Sequence, residues 1–226
     1  DTITGVSAQT VLNQCYSNPA SAFCALIHRN GNGTINYVAE PTVNLGTLAT
    51  RGVDFSVNYR LNETPWGRFT AGLNGTYLER YDVLPDTTDP STVTIRNGGM
   101  YTYAYGNFPR WRGLGSLSWN LDDWSASWRV RYIGKTRIGS SDLDQGLSAD
   151  TDEAGVVRRI GSFVYHNLQV GYTVAPWHTA FELGVDNVTN KQAPLYYANN
   201  GGNGNTDVAT YDVLGRFYWA RMSIKF

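Results

Sequence analysis

Long apolar runs are missing from this sequence. Nowhere do roughly 20 apolar residues follow one another, the length a membrane-crossing helix needs, so a helical span is not expected. Charge is sparse too: Asp, Glu, Lys and Arg make up 16% of the chain, against about 25% in an ordinary soluble domain. There is no basic excess, since 18 Lys and Arg face 19 Asp and Glu. Neutralising a phosphate backbone requires such an excess, so no nucleic-acid partner is expected. No leader with a basic start and an apolar centre precedes Asp1, and the sequence reads as a mature chain or a piece of one.

Catalytic vocabulary is thin as well. Histidine occurs only as His28, His166 and His178, and no paired-histidine metal motif or Gly-x-Ser-x-Gly turn is present. Ser162 and Asp186 are near candidates in sequence, without the context of a nucleophile and base. Gly201-Gly202-Asn203-Gly204 lacks the Lys-Ser/Thr that a phosphate-binding loop carries. No enzyme activity, cofactor or metal is expected. Cysteine is limited to Cys15 and Cys24, with eight residues between them. Their number and spacing fit one local disulfide in an oxidising compartment. A zinc site would need a second pair of ligands and finds only His28; two free thiols are the remaining reading.

What is abundant is aromatic residues, 13% of the chain, glycine, 24 residues, and strict alternation. In 52–61, Val53, Phe55, Val57, Tyr59 and Leu61 alternate with Asp54, Ser56, Asn58 and Arg60. The same period of two recurs in 68–81, 110–121, 124–135, 163–174, 179–189 and 216–226. Successive strand side chains point to opposite faces, so about seven segments each present one apolar and one polar face. This is an antiparallel all-β pattern. The polar face collects Arg60, Arg68, Arg112, Arg129, Arg131, Glu182, Asp186, Arg221 and Lys225.

The connections are unequal. Short turns fall at 62–67, 122–123 and 175–178, and long polar segments at about 84–107, 136–162 and 190–215. A soluble sandwich has loops of about 4–6 residues at both ends. Tight turns at one end and long loops at the other belong to outer-membrane barrels. Trp66, Trp119, Trp124 and Trp177 gather at the short turns, as an interfacial aromatic girdle requires. The last strand ends on Phe226, whose aromatic ring suits that same girdle. An open sheet leaves unsatisfied backbone groups in lipid, and bacterial single-chain barrels have even strand numbers. About seven strands therefore imply part of a larger barrel.

Three stretches resemble the TonB-dependent outer-membrane receptors. Arg51-Gly52-Val53-Asp54 is similar to the Gly-Val-Glu/Asp opening of a long strand. Phe181 to Lys191 resembles the penultimate strand, with Val188-Thr189 where Leu-Phe is common. Gly215-Arg216 and the alternation to Phe226 resemble the last strand. The resemblance implies an antiparallel transmembrane β-barrel of about 22 strands closed by a plug. Residues 51–226 would be its C-terminal strands, and residues 1–50 an extracellular loop and the start of a strand. Cys15 and Cys24 resemble the disulfide that ties an extracellular loop in a subset of these receptors.

The resemblance further implies a Gram-negative outer-membrane transporter that imports a scarce, bulky solute such as a ferric siderophore, cobalamin or a carbohydrate. The implied partners are the chain's own N-terminal plug and TonB box, the TonB–ExbB–ExbD system, lipid and lipopolysaccharide, the extracellular solute, and the barrel-assembly machinery that would read Phe226. Arg112, Arg129 and Arg131 would face the lumen and plug. Tyr101, Tyr103 and Tyr105 in one loop, and Tyr196, Tyr197, Asn199 and Asn200 in another, are candidate ligand contacts, because aromatic and amide groups stack on and hydrogen-bond to sugars or aromatic chelates. Asp142, Asp144, Asp150, Asp152 and Glu153 lack calcium-loop spacing and read as a solvated loop. A porin or adhesin barrel working without TonB is the alternative, and a soluble lectin-like sandwich a more distant one.

Overall fold

A computed structural model describes residues 2–6, 8–84, 87, 94–102, 106–138, 159–195 and 206–225. The chain divides into two compact units, residues 1–49 with 83–94, and residues 50–82 with 95–226.

In the first unit, β1 (Thr2–Gly5) pairs antiparallel with the opening residues of β4 (Thr42–Arg60), Gly5 facing Thr42. Helix α1 (Ala8–Ser17) follows. Its Ala8 amide donates to Glu40 Oε1 at 2.8 Å, which satisfies one of the orphan N–H groups of a helix start and sets a carboxylate against the positive end of its dipole. A 3-10 turn, Ala22–Leu26, is capped by Ser21, whose Oγ accepts from the Phe23 amide. Strands β2 (Ile27–Arg29) and β3 (Ile35–Val38) form a hairpin. Its turn passes through Gly33 at φ +84°, where a side chain would be strained. Val6, Val11 and Phe23 form the small core, backed by Leu26, Ile27 and Val38. Cys15 and Cys24 are joined at an S–S distance of 2.04 Å.

In the second unit the continuation of β4 lies beside β5 (Arg68–Leu84), to which β6 (Ile95–Arg96) also pairs. The order continues through β9 (Trp111–Leu121), β10 (Trp124–Ile133), β13 (Phe163–Val174), β14 (Thr179–Asp186) and β15 (Phe217–Ile224). Every neighbouring pair from β5 to β15 is antiparallel. These seven long strands fall on the seven alternating segments; β4 begins ten residues earlier than its segment and β5 runs three residues longer. The long connections are not structureless. They carry β7 (Met100–Thr102), β8 (Gly106–Asn107), β11 (Thr136–Ile138) and β12 (Arg159–Ile160), which form a second, four-stranded sheet.

Register keeps like with like across the long sheet. One face carries Phe69 opposite Trp119, Trp128 opposite Leu117 and Leu168, and Leu183 opposite Val170 and Ala220. Large apolar side chains stand open along this face; Val53 and Leu183 are each 61% exposed and Tyr218 65%. Water does not tolerate such a surface, and a contiguous exposed apolar patch marks contact with a partner or a membrane.

Aromatic residues frame it. Phe69, Trp119 and Trp124 lie near the short turns, and Tyr77, Trp111 and Tyr132 lie eight residues further along the same three strands. Eight residues span roughly 26 Å of strand. At a tilt of about 40° that is about 20 Å of membrane normal, close to the ~25 Å apolar band of outer-membrane barrels. Two glycines make room for aromatic rings, Gly75 on this face and Gly184 on the other. A Cβ on Gly75 would stand 2.2 Å from the Phe55 ring, and one on Gly184 would stand 2.2 Å from the Trp219 ring.

Candidate functional site: the arginine wall and the capped mouth

The other face of the long sheet is polar and cross-linked. Thr76 Oγ1 donates to Asp54 Oδ1 at 2.6 Å, and Ser56 Oγ donates to Asn74 Oδ1 at 2.7 Å. Glu182 faces Arg221 across β14 and β15 and accepts from its Nε at 2.6 Å. At the parity of Val53 and Tyr77, on the opposite side of the sheet, Arg51 is paired with Glu79.

Arg112, Arg129 and Arg131 stand on this polar face, as alternation predicts, because Arg112 faces Ile133, Arg129 faces Ser116 and Asn167, and Arg131 faces Leu114 and Tyr165. Arg112 lies diagonally across from Arg131, within reach for side chains this long. Among the described residues none of the three has a carboxylate within 4.0 Å, unlike Arg51 and Arg221. Arg112 is held by donating to the Asn107 carbonyl at 2.7 Å. Arg131 is held by the Tyr165 ring, whose centroid is 4.8 Å from its guanidinium carbon. These are neutral anchors, so the positive charge is positioned but not neutralised. A cavity of about 330 Å³ opens between Asn74, Thr76, Arg112, Arg131, Ala209 and Thr210. Its chemistry suits an anion: two guanidiniums that donate in forks, with amide and hydroxyl groups beside them.

Above the arginines the polar face turns apolar. Ile133 and Phe163 are directly opposite each other in register with the arginine row, yet both are buried, with Tyr165. They pack with Tyr101, Ile138, Ile160 and Tyr211. Tyr211 meets Phe163 edge-on at 4.9 Å and accepts at its hydroxyl from Asn107 Nδ2 at 3.5 Å. Tyr165 Oη accepts from the Asp212 amide at 3.4 Å. The segment carrying Ala209 to Asp212 is thereby pinned over the cavity. Sequence reasoning left Ile133, Phe163 and Tyr211 out. The available signal was apolar residues at polar-face parity near the strand ends.

The end of β14 shows why Asn187 to Lys191 has its composition. Asn187 is buried and adopts φ +50°, a conformation asparagine tolerates better than most residues. Its side chain donates to the Lys191 carbonyl and accepts from the Lys191 amide, both at 2.8 Å, while its own amide donates to Asn167 Oδ1 at 3.0 Å. Asn190 Oδ1 accepts from the Arg216 amide, and Arg216 Nε donates to the Val188 carbonyl. The exit of the last long loop is thus latched to its return.

Of the loop candidates, Tyr101 is buried in the mouth cluster. Tyr103, Tyr105, Tyr196, Tyr197, Asn199 and Asn200 lie outside the described residues, as do Phe226 and the acidic stretch 142–153. Trp66 sits in the β4–β5 turn, where its carbonyl accepts from Trp119 Nε1 at 2.6 Å, and Trp177 lies in the 3-10 turn Ala175–Trp177 after β13.

An apolar band between aromatic rows, a polar opposite face, tight turns at one end and long loops at the other define the wall of an antiparallel transmembrane β-barrel. The chain belongs to the TonB-dependent receptor β-barrel family: the family described as TonB dependent receptor-like, beta-barrel matches residues 3–188. Members of this family are transporters, and the family indicates the Gram-negative outer membrane. Among solved structures, a copper transporter, OprC, is similar at 20% identity and a TM-score of 0.44, over 76% of this chain and 22% of that one. The chain thus spans well under half of that transporter's length. No curated protein matches.

Proposed function

We propose that the protein to which this chain belongs imports a scarce, bulky, anionic solute across the outer membrane, energised by TonB–ExbB–ExbD and gated by an N-terminal plug. The observation that carries this reading is the row of Arg112, Arg129 and Arg131 on the polar face, each free of a carboxylate partner among the described residues. A purely structural row would be paired, as Arg221 and Glu182 are. Ferric siderophores with carboxylate or catecholate groups fit this chemistry better than neutral carbohydrates do. Long loops carrying Tyr103, Tyr105, Tyr196, Tyr197, Asn199 and Asn200 would make the first contact. Phe226 would be read by the barrel-assembly machinery, and the apolar band would meet lipid, with lipopolysaccharide outside.

The test is energised uptake of a panel of labelled solutes by cells carrying the full receptor or its Arg112→Glu/Arg131→Glu variant. Uptake of an anionic solute should fall about tenfold or more, the effect of losing roughly 1.4 kcal/mol of attraction, with heat-modifiable barrel still in the outer membrane. Uptake that persists without TonB would instead identify a porin. Unchanged uptake in the variant would remove the arginines from the route.

A further inference from the structure

The apolar face of the long sheet is not evenly filled. Ala126 lies opposite Trp119 and Val170, and two residues below Trp128 on the same face. The small side chain between two indoles leaves a groove of about 670 Å³, bordered by Leu117, Trp119, Ala126, Trp128, Val170 and Tyr218. That volume lies within the range of ordinary ligand pockets, about 300–1,000 Å³. The surrounding residues leave almost no polar group for water to use.

The course of the groove bears on its occupant. Trp119 is two residues from the end of β9 at the Asp122–Asp123 turn. Ala126 is two residues from the start of β10, and its partner Val170 is four residues from the end of β13. The hydrogen-bonded row therefore climbs away from the short turns as it crosses from β9 toward β15. Four strand steps of about 4.8 Å, in a sheet tilted about 40°, give a rise on the order of 12 Å. The groove starts at the aromatic row of the short-turn side, where lipid headgroups meet hydrocarbon, and rises into the apolar band. A flexible hydrocarbon chain has that path and that chemistry.

We infer that this groove is a binding site for one acyl chain of a phospholipid from the periplasmic leaflet, seated between Trp119 and Trp128 over Ala126. The site rests on the membrane reading above. Its occupant is a lipid of the periplasmic leaflet because the groove opens at the short-turn rim, and lipopolysaccharide belongs to the opposite leaflet.

The test uses the full receptor extracted from outer membranes in mild detergent, with native mass spectrometry and phospholipid phosphorus as readouts. Ala126→Phe fills the groove. Val57→Phe, elsewhere on the same exposed face, is the control, and heat-modifiable gel mobility selects folded protein. Wild type and V57F should keep phospholipid through purification. A126F should lose about tenfold of it, and the smaller A126L should lie between them. No retained phospholipid in wild type, equal retention in A126F, lipopolysaccharide as the retained species, or a second receptor copy in its place would each overturn the site. Fractionation in the same cells separates the two readings: a receptor absent from the outer membrane defeats the transport reading, whereas a membrane-resident receptor without bound phospholipid defeats only the groove.

Discussion

At the scale of single residues, the sheet depends on what two glycines leave out. Phe55 covers Gly75 on the apolar face and Trp219 covers Gly184 on the polar face, each ring closer than any Cβ would permit. Gly75→Val or Gly184→Val forces a ring off the strand. Overpacking of this kind costs about 1–3 kcal/mol, so both variants should unfold at lower urea than wild type in a gel-shift titration of the full receptor. Arg112, Arg129 and Arg131 were legible because period-two parity places a strand side chain on its face without knowledge of the neighbours. Tyr101 was legible only as a loop tyrosine. Its burial depends on a cluster that includes Ile138 and Phe163, far along the chain, and no local pattern carries that information.

At the scale of elements, all seven long strands could be read from alternation, and the short strands inside the loops could not. Strands of two or three residues have no periodicity to show. The parity rule also changes meaning at the upper ends of β10 and β13, where Ile133 and Phe163 occupy polar-face positions. The polar face meets no lipid, so these apolar residues bury one another under the Tyr211 segment instead. Tyr211→Ala should therefore reduce local stability by roughly 3 kcal/mol, the scale of a buried aromatic truncation. Faster amide exchange confined to about 206–216 would register it, with exchange in the long strands unchanged. In the first unit, Cys15→Ser with Cys24→Ser opens a link between residues nine apart. Loop-closure entropy gives roughly 2–3 kcal/mol for such a link, so limited proteolysis should cut the 8–29 stretch sooner and spare the long strands.

At the scale of the whole molecule, the constant interval between the two aromatic rows predicts depth. Trp119 and Trp111 should lie at opposite interfaces, while Trp128 lies between them. In vesicles containing lipids brominated at different carbons, fluorescence from Trp128 should be quenched most by bromines near the chain ends, and Trp128→Phe should remove that component. Retained deep quenching in the variant would show that the apolar band is misplaced. The small sheet has a different consequence. Arg137 and Ile138 of β11 run parallel to Met100 and Tyr101 of β7, and the Arg137 amide donates to the Gly99 carbonyl. Loops on a barrel usually diversify one at a time, yet these two share a hydrogen-bond ladder. They form a single cassette for recombination: transplanting either loop alone into another barrel leaves strand edges without partners, and a graft that transfers binding has to carry both.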